Sequence, residues 1–278
     1  MPELPEVEIT ARNLRAWAVG HEIDRVEVDE AGRRIFRPES PRAFATAVAG
    51  YRVGQVTRVG KQLLVGLEPA SARAEPLGLI SHLGMTGKWL RRESGELAPS
   101  HSRARLHLAS GAVLHFRDPR LFGRLRLVPG ARFDEVPELA ALGPDPLEEG
   151  ISVDRLAREL SRRRTSVKVA LLDQSLIPGV GNIHASESLF RARLDPRRRA
   201  NELSRKEVER LARAVRASLE ETIEKEAGPE VVYLEDKGAS NPFLVYGRAH
   251  EACPRCGRAI VRVVQGQRST FFCRRCQR

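Results

Sequence analysis

The chain has 278 residues, 41% of them hydrophobic and 30% charged, a balance that excludes a disordered polymer and leaves room for about two domains with buried cores. Lys and Arg outnumber Asp and Glu by 47 to 36, giving a formal charge of +11 and a pI near 10.2, so a polyanionic partner is expected, and nucleic acid is the commonest soluble one. An acidic start with two prolines is not what a secretory or transit peptide would show, so none is expected. No apolar run approaches a spanning helix, and all four cysteines fall in the last 26 residues, which excludes a disulfide scaffold and makes a cytoplasmic protein the expectation.

In chain order, PEVEITARNLRAW predicts a helix, with Pro5 tolerated in its first turn and Val7, Ala11, Leu14 and Ala18 on one face. From His21 to Val128 the apolar period drops toward two. Ile23, Val26 and Val28 alternate, as do Leu63, Val65 and Leu67; RARLHLASGAVLHF reads as two strands around a Ser-Gly turn, and GRLRLV as another. This segment predicts mostly β structure, a sandwich or flattened barrel. Pro129 to Gly150, including GPDPLEEG, is rich in Pro, Gly and acid and reads as the break between domains. Helices are then predicted over Ile151–Leu160, Ser166–Gln174, Asn182–Ala192 and Ser204–Ala227. The last opens on a Ser204/Glu207 capping box, carries one apolar stripe from Val208 to Ile223, and stops at Gly228-Pro229. Residues 229–245 read as loop.

Three groups of residues carry chemistry. Cys253-x2-Cys256 and Cys273-x2-Cys276, sixteen residues apart, suit one tetrahedral zinc. Four cysteines leave no open coordination position, so the ion is structural and staples a β-ribbon whose strands are AIVRVV and STFFC. Arg268, in the GQR bend between them, is either a phosphate-binding fork or a solvated turn residue. GVGN at 179–182 opens a predicted helix, and its backbone N–H groups, with Asn182, could hold an anion; a simple helix–turn–helix needs the same glycines. The basic runs Arg162–Arg164 and Arg197–Arg199 favour DNA over a nucleotide cofactor. At the start, MPELPEVE is either an exposed acidic end or a site. With Met1 removed, Pro2 would carry a free secondary amine, and an α-amino group titrates near 7.7–8.0. Such an amine can attack a carbonyl-like carbon to give an iminium, with Glu3 and Glu6 placed for proton transfer.

MPELPEVE, HLGMTG (82–87), DPRLFG (118–123), GVGNIHASESLF (179–190), VYGR (245–248) and the four-cysteine tail ending CRRCQ occur in an order and over a length that resemble the bacterial formamidopyrimidine-DNA glycosylases and their endonuclease VIII relatives. The resemblance implies an α+β multidomain fold: an N-terminal catalytic β-sandwich with its helix over 1–133, a linker over 134–150, a helix–two-turn–helix DNA-binding domain over 151–240 and a zinc-ribbon finger over 241–278. It implies Pro2 as nucleophile at the sugar's anomeric carbon, Glu3 as general acid on the opening ring, Glu6 as supporting carboxylate and Lys61 beside the lesion phosphates. Met85, Arg120 and Phe122 would fill the gap left by an everted nucleotide, replacing part of the lost stacking. By pattern alone Met85 and Phe122 read as core. Asn182, Tyr246 and Arg268 would contact phosphates, and Lys168 and Glu187 would line the site.

The activity so implied is a glycosylase and abasic-site lyase for oxidised purines, 8-oxoguanine and formamidopyrimidine, using a Schiff base and β,δ-elimination on double-stranded DNA. A monomer with one structural zinc, acting in the bacterial cytoplasm and on no membrane, is expected. Leu4 fits the purine group, since endonuclease VIII relatives typically have glycine there. The chain also departs from the family: the Gly-Gly-Ser/Thr-Thr stretch leading into a lesion-covering loop is absent from EKEAGPEVVYLEDKGASNPFLVYGR, HSRAR is short of two histidines, Leu121 replaces a basic residue and His184 a tyrosine. These changes leave the amine intact and bear on base preference. Two other readings stay open: an endonuclease VIII-like enzyme for oxidised pyrimidines or other lesions, and a protein that binds damaged DNA without cleaving it.

Overall fold

The computed structural model describes residues 2–70 and 75–278. Met1, whose removal the sequence reading expects, lies outside the described residues. Contacts divide the chain into two units, one holding Pro2, Glu6–Ala140 and Glu226–Asp236, the other Glu3–Pro5, Ala141–Lys225 and Lys237–Arg278.

The first unit takes helix α1 (Leu4–Ala18) from Glu6 onward, then β1 (Ile23–Val28), a 3-10 helix (Glu30–Phe36), α2 (Pro41–Val48), β2 (Tyr51–Val59), β3 (Gln62–Pro69), β4 (Leu77–His82), β5 (Lys88–Glu93), β6 (Ser102–Leu108), β7 (Ala112–Arg117) and β8 (Arg124–Pro129). The strands form two antiparallel four-stranded sheets, β1-β6-β7-β5 and β2-β3-β4-β8. Their inner faces share one core: Val7, Ala11 and Leu14 of α1 pack with Ile23, Leu106 and Phe116 of one sheet and Val56, Leu63, Leu79 and Leu125 of the other. Each such Leu, Ile or Phe removed from water contributes about 1.5–3 kcal/mol. This is the β-sandwich expected.

Two features depart from the sequence reading. The Glu30–Phe36 and α2 helices interrupt a stretch read as β. Ser40 Oγ accepts from Ala43 N at 3.1 Å with Pro41 behind it, a start signal present in SPRAF but followed by only two turns. The supposed linker also begins as structure: a 3-10 turn (Phe133–Glu135) and α3 (Pro137–Ala140) follow β8, and Val136 packs with Leu64, Ile80 and Val128 on the sheet's other face. A side chain at Gly78 would meet the Phe133 ring at 2.7 Å, so glycine lets that cover approach.

The second unit holds α4 (Val153–Ser161), α5 (Val167–Ala170), α6 (Asn182–Arg191), α7 (Arg205–Glu226, to Lys225), and the ribbon β9 (Val261–Gln265) and β10 (Arg268–Phe272). α5 stops four residues short of the predicted end, because Asp173 Oδ1 accepts from Ser175 N and Oγ at 3.0 and 2.7 Å, an alternative to helical bonding. α7 matches its pattern: Glu207 reaches back to Ser204 N at 2.9 Å, and Val208, Leu211, Val215, Leu219 and Ile223 are buried. The ribbon turns at Gly266 and Gln267, both at positive φ, and packs Phe271 with Phe190, Val245 and Ile260.

Residues 226–236, which the sequence reading carries with the helical region, belong to the first unit. The Tyr233 hydroxyl donates to Gly87 O, Lys88 pairs with Asp236, Arg92 pairs with Glu230 at 2.6 Å, and Asn13 Nδ2 donates to Gly228 O at 2.9 Å.

Candidate active site and nucleic-acid interface

In the second unit the chemistry gathers around one helix end. The Glu3 side chain is 1% exposed. Its carboxylate accepts from the backbone N–H groups of Gly181, Ile183 and His184 at 2.8, 2.8 and 3.1 Å, and Leu4 N donates to Gly179 O at 3.0 Å. The positive end of α6 therefore holds a carboxylate of the same chain. The anion that the Gly-x-Gly turn was read as offering to hold is Glu3, and those amides are spent on it. Gly179 sits at φ +86, and a Cβ there would lie 2.5 Å from the Leu4 side chain, so glycine permits the start of α1 to come this close. Pro2, bonded to Glu3, is buried.

Lys168 on α5 is fully buried, and its Nζ has no hydrogen-bond partner among the described residues. Burial, then Arg268, lower its pKa to about 8 against the opposing pull of Glu3. A buried amine facing a carboxylate and a second cation is the kind of group found at functional sites. Asn182 Nδ2 donates to Ser269 O at 2.9 Å, tying the start of α6 to the ribbon, while its Oδ1 is buried without a hydrogen-bond partner among the described residues. Arg268 is exposed at the head of β10. Glu3, Lys168, Asn182 and Arg268 thus come together.

Glu187 and Tyr246 lie further along. Glu187 accepts from Leu244, Val245 and Tyr246 N at 3.0, 2.8 and 2.9 Å, so this 2%-exposed carboxylate fixes the backbone of VYGR. The Tyr246 ring packs edge-on against Phe271 at 5.2 Å. Of the basic runs, Arg162, Arg163, Arg197 and Arg198 are ion-paired to acids, so the runs read as DNA-favouring are largely neutralised.

In the first unit, Met85 sits in the turn between β4 and β5, and Arg120 and Phe122 in the loop between β7 and β8. Sequence reasoning missed what joins them. Asp118, fully buried, accepts from Thr86 Oγ1 at 2.8 Å, from Gly123 N at 2.7 Å and from Arg120 N at 3.2 Å, so one carboxylate binds both loops. Gly84, at φ +64, lies so close that a Cβ would meet the Phe122 carbonyl carbon at 2.4 Å. Phe122 is 44% exposed, with the Arg120 and Arg34 guanidiniums 5.1 and 5.8 Å from its ring centroid. It is not the core residue its pattern suggested, and an exposed Phe flanked by arginines suits insertion between bases.

His82 Nδ1 accepts from Gly84 N at 3.0 Å, which requires that nitrogen unprotonated. Burial, with Lys61 and Arg124 nearby, pushes its pKa down to about 4 and keeps it so. Lys61 is half-buried in the two-residue turn joining β2 to β3, with Gly60 at φ +57 in the first place. Glu6 is 4% exposed on α1. Glu8, the third acid of the opening octet, pairs with buried Arg58 at 2.9 Å and with Arg12 at 3.0 Å, a structural role the sequence did not disclose.

The four cysteine sulfurs lie within 4.8 Å of one another, with Cys253–Cys276 at 3.9 Å and Cys256–Cys273 at 3.5 Å. Four sulfurs at the usual zinc–thiolate bond length of about 2.3 Å would be about 3.8 Å apart at tetrahedral corners. The donor set fits one structural zinc.

Comparison with known proteins agrees with this geometry. The chain matches the family profiles of the formamidopyrimidine-DNA glycosylase N-terminal domain over residues 1–125, of the corresponding H2TH domain over 142–231, and of a zinc finger found in FPG and IleRS over 251–278. It is 42% identical to the formamidopyrimidine-DNA glycosylase of Geobacter metallireducens over 280 residues, covering 100% of both. The crystal structure of MutM (Fpg) from Thermus thermophilus is similar at TM-score 0.80 and 40% identity, covering 99% of this chain and 98% of that one. Lactococcus lactis Fpg, solved with DNA containing N7-benzyl-Fapy-dG and with DNA containing an oxidised pyrimidine, matches at TM-score 0.87 and 27% identity over 100% of both chains. The class is that of a base-excision DNA glycosylase with abasic-site lyase activity. Within it, the chain belongs to the formamidopyrimidine-DNA glycosylase family. Among the described residues no helix is long and apolar enough to cross a membrane.

Proposed function

We propose that this chain binds damaged duplex DNA and excises oxidised purines, 8-oxoguanine and formamidopyrimidine, through an N-terminal Pro2 amine. The secondary amine attacks C1′ as the bond to the damaged base breaks, and the base leaves with a proton. Ring opening, with the Glu3 carboxylate taking the proton that the amine sheds and passing it to the ring oxygen, gives the iminium. β-Elimination then releases the 3′ strand and δ-elimination the 5′ phosphate. Glu6 assists these proton transfers, Lys61, Asn182, Tyr246 and Arg268 hold phosphates, Lys168 and Glu187 line the site, and Met85, Arg120 and Phe122 occupy the space of the everted nucleotide.

The observation that carries the reading is the capture of Glu3 by three backbone amides of α6, which holds the residue next to Pro2 in a fixed place. The unpartnered Lys168 and the carboxylate-joined Met85 and Phe122 loops support it. Borohydride reduction on 8-oxoguanine duplex should trap a covalent complex with the wild-type protein, and Pro2→Gly should lose most of it. Mass analysis of the purified protein reports whether Met1 is gone. Absence of trapping on every lesion and on an abasic site, with Met1 removed, would refute the assignment.

A second reading, excision of oxidised pyrimidines, is favoured by the binding of the Lactococcus lactis relative to oxidised-pyrimidine DNA. Single-turnover rates on 8-oxoguanine, formamidopyrimidine, thymine glycol and hydroxyuracil separate the two.

A further inference from the structure

The knuckle end of the zinc ribbon holds a second concentration of positive charge. Arg193, Arg255, Arg275 and Arg278 line a recess of ≈490 Å³ together with Cys276, and among the described residues no carboxylate side chain lines it. Elsewhere the chain commonly sets arginines against acids, as in Arg191 with Glu221 at 2.7 Å and Arg163 with Asp173 at 2.9 Å. Among the described residues Arg193, Arg275 and Arg278 form no ion pair with a carboxylate side chain. β10 runs from Arg268 to Phe272, so this recess lies a strand length, roughly 15 Å, from the Arg268 end of the ribbon.

One wall is held through its side chain and two more through their backbone. Arg255 donates to Phe190 O at 2.6 Å and to Arg191 O at 3.3 Å, and its guanidinium lies 4.2 Å from the Phe190 ring centroid. Its fork is thus fixed by carbonyls, which leave the charge uncompensated. Arg278 N donates to Arg193 O at 3.2 Å and Asp195 N to Arg278 O at 3.2 Å, joining the two segments. Between them Gln277, 1% exposed, accepts from Cys273 N and donates to Leu194 O, each at 2.9 Å. With zinc bound, the four thiolates leave about two negative charges nearby. These offset part of the charge of four guanidiniums but not all of it.

Guanidiniums crowded around a recess repel one another unless an anion joins them. Their planar forks match phosphate oxygens. We propose that this recess is a phosphate-binding site, additional to the residues assigned to lesion and strand, and that it takes adjacent phosphate groups. Those groups come either from a DNA backbone passing the ribbon or from a free oligophosphate.

The probe is inorganic tripolyphosphate, titrated into the zinc-loaded full-length protein and followed by arginine Nε–Hε resonances and calorimetry. Wild type should bind it saturably, and Arg275→Gln/Arg278→Gln should bind at least tenfold more weakly. A second arm measures affinity for long undamaged duplex against salt. If the phosphates come from DNA, the slope of log K against log salt should fall in the variant by about 2, roughly one per lost phosphate contact. An unchanged slope with lost tripolyphosphate binding assigns the site to a free phosphate compound. Zinc content is measured for each protein; should the double variant lose metal, Arg193→Gln, on a segment without cysteines, is the deciding variant. Failure of wild type to bind tripolyphosphate, with salt slopes identical in wild type and variant, would overturn the proposal and leave the arginines as counter-charges to the zinc thiolates.

Discussion

Replacing Lys168 with methionine should make the protein more stable at neutral pH. The lysine is fully buried, its Nζ has no hydrogen-bond partner among the described residues, and burial together with Arg268 brings its pKa from 10.5 to about 8. At about 1.4 kcal/mol per tenfold change in proton affinity, that drop amounts to about 3 kcal/mol at most. Methionine has nearly the same volume, so little packing is lost with the charge. The sign follows from proton counting. Below pH 8 both folded and unfolded states hold the proton, and the folded state carries a buried charge whose desolvation Glu3 offsets only in part. Between pH 8 and 10.5 only the unfolded state holds it, so wild-type stability rises with pH across that window. Lys168→Met should therefore exceed wild type by about 1–3 kcal/mol at pH 7, and the advantage should shrink as pH approaches 10. Urea unfolding of both proteins at pH 7 and pH 9.5 measures it, and base excision at pH 7 should fall in the variant. A variant less stable than wild type at pH 7, or an advantage unchanged at pH 9.5, would refute the reasoning.

Asp118→Asn replaces an acceptor of three hydrogen bonds with an amide whose NH2 must face a donor, at a cost of about 1–3 kcal/mol; a lower Tm with excision reduced more than abasic-site cleavage is expected, because the Met85 and Phe122 loops are released. Tyr233→Phe removes the bond to Gly87 O, worth about 1 kcal/mol, and hydrogen exchange in 226–236 should quicken while the β-strands stay protected. Stripping zinc with a chelator should unfold the ribbon and displace Arg268, seen as zinc release parallel to loss of DNA affinity, since metal binding at such sites is folding free energy.

The sandwich was legible because its strands bury one shared face. Leu63, Val65 and Leu67 alternate for that reason, whereas Leu64 is apolar too because Val136 covers the opposite face. That cover comes from a segment whose Pro, Gly and acid content looks like a linker, and the helix α2 was hidden because eight residues hold too few turns for a period to emerge. The zinc site was fully legible, since spacing alone brings the four sulfurs together. Asp118 was not: its partners Thr86 and Gly123 are ordinary polar and small residues, and only tertiary folding joins their loops. Nor was the attachment of 226–236 to the first unit, because Tyr233, Glu230 and Asp236 in a loop carry no sign of Gly87, Arg92 and Lys88, which they meet.

The GVGN turn shows a third case, in which the sequence identifies a physical capacity but not its occupant. Glycines opening a helix do present amides to an anion, and here the anion is Glu3. Three donors at the positive end of α6 are thus satisfied internally, and Asn182 has given one N–H to Ser269 O. On the proposed function, phosphate affinity in this unit then rests chiefly on side chains, Arg268 among those near the helix end. The helix end serves instead to fix Glu3 and, through one peptide bond, Pro2. On the proposed mechanism, an excess of eleven positive charges and an acidic first octet are two halves of one division of labour: basic side chains such as Arg268 meet the polyanion, while the helix end holds Glu3 beside the Pro2 amine.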